Sequence, residues 1–150
     1  MISRRLLTGL LYDQLATLGK PVGIANAPKA GGWDGEPNTD GTNFIPYTVL
    51  TPGSMTNSSG PMSDSRADLR VPYALSSFGV TPESAEWMGD LGREGLEPLV
   101  KTTLSLGDGD YKIQQVAIDI MGGLQRVDAT DPPFWGEVDT LTVWLTKELV

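Results

Sequence analysis

In the stretch WDGEPNTDG, Asp34, Glu36, Asn38 and Asp40 fall at every second position, the spacing at which a calcium-binding loop presents its first oxygen ligands. Such a loop needs glycine at its sixth position and a bidentate glutamate at its twelfth, and here these are Thr39 and Ile45. The stretch therefore reads as turn chemistry, as does DGDY with Asp108 and Asp110. There is no histidine and no cysteine, which removes the commonest general base, the thiolate nucleophile and the usual transition-metal ligands. Nothing matches a Gly-rich phosphate cradle or a GxSxG elbow. Carboxylates are plentiful, 19 Asp and Glu, so no single pair stands out as an acid–base couple. These residues predict no catalytic centre, no cofactor and no metal.

The chain is acidic, with a net charge of −8, and lacks the clustered Lys and Arg that phosphate neutralisation requires, so specific nucleic-acid binding is not expected. Its 150 residues predict one domain over 1–150, and 18 Gly with 11 Pro predict much loop. No run reaches the roughly 20 apolar residues of a membrane span. The opening MISRRLLTGLLYDQL contains Asp13 and Gln14 and lacks a small-residue cleavage site, so it reads as a native helix made in a cytoplasm.

Elements follow from periodicity. A helix is predicted from Arg4 to Leu18, capped by Ser3, with Leu7, Leu10, Leu11 and Leu18 on one face and Leu15 at its edge. Strands are expected at Val22–Ala25 and Phe44–Leu50, with Pro46 marking an edge or a strand start. Long irregular segments are expected at 26–43 and 51–68. Leu69 to Gly79 alternates Leu69, Val71, Tyr73 and Leu75 on one side, with Pro72 weakening it as a continuous central strand. Thr81, Pro82 and Glu83 open a second helix that Pro98 closes near Glu97. Its inner face is read as Ala85, Met88, Leu91, Gly92, Gly95 and Leu96; Asp90 and Arg93 fall on the opposite, charged face. Further strands are read at Lys112–Met121 and Val138–Leu145, separated by a loop or irregular hairpin. The expected class is α+β: a mixed or antiparallel sheet of about four to five strands, two helices packed on one face, and long loops.

Five residues stand out as candidates for contact with other molecules. Arg4 and Arg5 occupy a first helical turn, where the dipole disfavours cations, and form either a solvated end or a basic spot for an acidic partner. Trp87 borders the two faces of the second helix, suited either to the rim of the core or to an interface. Trp33 and Trp135 sit in Gly- and Pro-rich segments, GGWDG and DPPFWGE, and either fold back or await a partner.

An ordered series runs through the middle of the chain: Pro46-Tyr47, Val49-Leu50, a Gly-rich loop, Gly60-Pro61-Met62-Ser63-Asp64, then Ser77-Phe78-Gly79, and Ala85-Glu86-Trp87 with Asp90 and Arg93. With the leading helix RRLLTGLLYDQL, it resembles the tail terminator proteins of long non-contractile-tailed bacteriophages, particularly those infecting actinobacteria. The resemblance covers roughly residues 4 to 94. It implies a structural virion protein without catalytic centre or obligatory metal, made in the host bacterial cytoplasm. Such proteins form a six-fold homo-oligomeric ring on the head-proximal end of the tail tube. The ring stops polymerisation of the major tail protein and offers a surface to the head-completion or neck protein, and DNA passes through its lumen without specific binding. The alternatives are another head–tail joining ring protein and, more remotely, a small carboxylate-based hydrolase or a sugar-binding module using Trp33 and Trp135.

Overall fold

A computed structural model of the chain describes residues 3–18, 22–25, 46–53, 56–57, 68–107, 109–127 and 134–148. The calcium-like stretch, Trp33, Asp108 and the motif at 60–64 lie outside the described residues.

Helix α1 (Arg4–Ala16) follows the leucine spacing, but its buried stripe is Leu7, Thr8, Leu11 and Leu15. Leu15 is therefore central, not at the edge. The face turns toward Thr8 because that hydroxyl pairs with the buried Tyr73 hydroxyl at 3.0 Å, satisfying two polar groups at once. Ser3 holds the cap position without a side-chain cap bond; its backbone N–H instead donates to the Leu106 carbonyl at 2.6 Å.

The strands are β1 (Val22–Ile24), β2 (Tyr47–Pro52), β3 (Thr56–Asn57), β4 (Asp68–Gly79), β5 (Thr103–Ser105), β6 (Asp110–Met121), β7 (Gln125–Val127) and β8 (Phe134–Lys147). Six lie side by side in the order β1-β2-β4-β8-β6-β5, with β3 beside β4 and β7 beside β8. Among the described strands only the β1–β2 pair is parallel. The class is thus α+β with a mixed sheet, as expected, but the sheet exceeds four to five strands. The additional strands β3, β5 and β7 have two or three residues each, too short to carry a readable period of two. Pro46 precedes β2, and β2 is an interior strand.

Pro72 does not interrupt β4. Its carbonyl accepts from Gly53 N–H at 2.8 Å, so the side of the strand from which its own N–H is missing faces β2. There β2 has just ended and β3 has not begun, and the pairing with β8 runs unbroken from Asp68↔Thr146 to Gly79↔Trp135. A proline at that position forfeits little, because the bond it cannot make lies at a gap between two partner strands.

Cross-strand partners share a face, which sorts the sheet into two sides. On one side Leu50, Leu69, Val71, Tyr73, Leu75, Ile113, Leu141, Val143 and Leu145 form a single core with Leu7, Leu11 and Leu15 of α1 and with Leu96 of α2 (Pro82–Leu96). Both helices therefore cover the same face. The other side bears a smaller cluster, Tyr47, Val49 and Phe134 with Phe78 packed against them.

Helix α2 begins as its sequence requires: the Thr81 side chain accepts from Ser84 N–H at 3.1 Å and Pro82 takes the first turn. A short 3₁₀ turn, Glu97–Leu99, follows at Pro98. Gly92 lets the helix lie directly on the sheet, since a Cβ there would come within 2.8 Å of Leu75 Cδ2. These packing arguments set an order of cost that chemical denaturation measures. Leu11→Ala is expected to lose about 2–5 kcal/mol of stability, and Pro72→Thr to stay within about 1 kcal/mol of the parent.

Candidate functional site

The main concentration of charge inside the molecule joins α2 to the middle of the sheet. Along β8 the alternation that buries Leu145, Val143 and Leu141 continues to Asp139 and Glu137, which are also buried. A carboxylate on a core-facing position needs a partner, because burial disfavours its charge by several kcal/mol. Arg93 supplies it. Its Nη1 donates to Asp139 Oδ2 at 2.5 Å and to Glu137 Oε1 at 3.1 Å, and its Nη2 pairs with Asp90 one turn earlier. Asp139 Oδ1 also accepts from Gly122 N–H at 3.3 Å.

The approach depends on Gly89, whose Cβ, were it present, would collide with Glu137 Oε1. Burial raises the Glu137 pKa above the ordinary carboxylate value, with the Arg93 bond opposing and the neighbouring Asp139 charge adding to the rise. Burial works against the Arg93 charge as well, yet the bonds to Asp139, Glu137 and Asp90 outweigh it and hold the guanidinium above its usual pKa. One cation thus holds two buried acids, and the cluster acts as a bolt between helix and sheet.

The expectation that Arg93 lies on the charged outer face of α2 is corrected here. By angle it sits beside that face, but its long side chain carries the guanidinium back under the helix, where Gly89 leaves room. The sequence signal was present in the strand: in EVDTLTVWL the acids occupy the same alternating positions as the buried aliphatics, which marks them as core-facing and in need of a cation.

The predicted contact residues are scattered. Trp87 is 45% exposed on the outer side of α2. Trp135 belongs to β8, not to a loop: it is half-buried and opposite Gly79 and Arg126, because the strand starts at Phe134 directly after the proline pair. Arg4 and Arg5 line a cavity of about 430 Å³ together with Thr8, Gly9, Ile24 and Pro52. The Nε and Nη2 atoms of Arg4 are buried without an acceptor among the described residues, and the guanidinium lies beside the buried Tyr73 hydroxyl. On the opposite face, the Arg70 guanidinium lies 3.8 Å from the centre of the Trp144 ring, a stacking that sequence reasoning did not anticipate. The structure does not bring Arg4, Arg5, Trp87 and Trp135 into one site.

No family model matches the chain, and no curated protein matches it. Among the described residues no helix is long and apolar enough to cross a membrane.

The cluster makes two measurable demands. Arg93→Met strands two buried acids and is expected to cost about 3–5 kcal/mol in chemical denaturation. Glu137 binds its proton more tightly folded than unfolded, so its contribution to stability is present below the ordinary glutamate value of 4.5 and is lost as pH rises through the raised folded value. Glu137→Gln removes that loss. The melting temperature of Glu137→Gln relative to the parent is therefore expected to climb as pH rises from about 4.5 toward neutrality. A difference that stays flat or falls with pH would contradict this account.

Proposed function

We infer that this protein is a structural virion component that caps the head-proximal end of a phage tail tube as a ring, stops polymerisation of the tube protein and offers a surface to the neck. The observation that carries this reading is how the dispersed pieces of the motif series fit together. Tyr47 pairs with Phe78 across β2 and β4, and their rings stack with centroids 4.8 Å apart; Phe78 in turn meets the edge of Phe134 at 5.8 Å. Gly79, which closes the same strand, lies so close under the first turn of α2 that a Cβ would come within 2.6 Å of Ala85 N. Asp90 and Arg93, the last members of the series, share an ion pair. The described members of the series thus meet at the end of β4, Tyr47 and Phe78 on one face of the sheet and Ala85 and Arg93 of α2 on the other.

Other features accord with it. The acidic chain has little to hold DNA phosphates, as suits a ring through which DNA slides. An α+β domain with exposed aliphatic and aromatic residues at several borders is suited to repeated subunit contacts. A ring protein acting later, at the head–tail joint, is the second reading, since the same surfaces would serve it.

The test is tail-tube length. Cognate tail genes are expressed with and without this protein and the tubes measured by electron microscopy. Uniform tubes in its presence, with longer and irregular ones in its absence, are expected. Unchanged lengths combined with failure of heads and tails to join would move the assignment to the neck, and no change in either would remove both readings.

A further inference from the structure

The outer edge of β6 is covered only at its start. Strand β5 pairs with Asp110, Tyr111 and Lys112, and the last bonds to that edge join Ile113 to Lys101 and Thr102. From 114 onward the edge has no partner strand among the described residues. At the end of this open edge Ile120 and Met121 are 63% and 64% exposed, the most exposed large apolar residues described, and Asp119 beside them is also exposed. An open edge with aliphatic side chains and unpaired backbone groups recruits another chain unless something covers it.

A complementary surface lies across the sheet at its opposite edge, where Ile24 of β1 is level with Met121 through Leu50, Leu75 and Asp139. The cavity at the start of α1 is lined by Ile24, itself 43% exposed, Pro52, Thr8, Gly9, Arg4 and the exposed Arg5. No acidic residue occupies the first turn of α1, and the Arg5 side chain there is exposed. The site therefore favours an aliphatic group accompanied by a carboxylate. In a chain of net charge −8, a second copy is a ready source of that charge, and the Asp119–Met121 corner combines both requirements.

We propose that the β6 corner of one copy, Asp119, Ile120 and Met121, docks on the Arg4/Arg5 cavity of the next copy. The two surfaces are different and lie at opposite edges of the sheet, so the contact is head-to-tail: it propagates from copy to copy and closes into a ring when the rotation per copy divides the circle. For closure it rests on the cap reading above, and it names the surfaces through which that ring is joined.

The absence of cysteine from the chain allows a direct test. Arg5→Cys and Ile120→Cys are introduced singly and together at these exposed positions, folding is checked by circular dichroism, and each variant is treated with a short bis-maleimide. The double variant is expected to give a ladder of covalent multimers and each single variant almost none. Adding Ile120→Asp to otherwise unmodified protein is expected to weaken association about tenfold or more in sedimentation, the scale of one lost apolar anchor. Dimers from Ile120→Cys alone would show a symmetric contact and overturn the proposal. So would the absence of a ladder from the double variant, whether the parent sediments as an oligomer or as a monomer. Tail-tube length is read separately: uniform tubes from a protein that gives no ladder would sink this contact while leaving the cap reading standing.

Discussion

The structure turns on one guanidinium. Arg93 reaches beneath α2 and neutralises Glu137 and Asp139, two acids that β8 places on the core side of the sheet. Without that cation the strand could not continue its inward alternation past Leu141, and α2 would have no reason to lie so close to the sheet at this end. Gly89 makes room for the Glu137 carboxylate and Gly92 makes room for Leu75. Small residues and buried charge thus solve one packing problem together. The attraction pulls the helix down, and the missing side chains let it arrive. Buried ion pairs contribute little net stability when measured against apolar replacements, yet they are costly to break, so this one acts more as a registration device than as a source of stability.

Much of the fold was legible in the sequence because its signals are local. The α2 cap, its proline, the glycines of its inner face and the alternation of β4 each depend on neighbours within a turn or a strand. What escaped reading depends on partners distant in the chain. Thr8 turns the face of α1 because Tyr73 awaits it, and Tyr73 lies on β4. Trp135 looked like part of a loop because two prolines precede it, whereas pairing with β4 extends β8 back to Trp135 and pairing with β7 back to Phe134. The short strands β3, β5 and β7 exist only as companions of longer ones. Arg93 was assigned outward by helical angle, a measure that ignores how far an arginine can reach.

The candidate contact residues were less legible than the fold. Arg4 and Arg5 do share a cavity, while Trp87 and Trp135 stand apart from it. Aromatic identity singled out tryptophans, but the most exposed large apolar side chains among the described residues are an isoleucine and a methionine at the end of a strand whose outer edge is open. That exposure is a property of topology: it arises because β5 is only three residues long and leaves most of β6 uncovered. Residue type alone could not reveal it.

The place of β8 in the sheet also bears on how the protein comes to be folded. It is the last of the described strands in chain order and yet it lies between β4 and β6, pairing with β4 along almost its full length and with β6 from Asp139 to Lys147. While the chain is being made, β4 and β6 have no common partner, and their apolar faces wait as separate pieces beside α1 and α2. The sheet can zip together only when residues 134–147 have left the ribosome. Pairings this distant in sequence close slowly, and the unfinished sheet carries open edges in the meantime. Assembly of the core is therefore a late event in the life of each new chain, and the interval before it is when its uncovered strands are most open to the wrong neighbour.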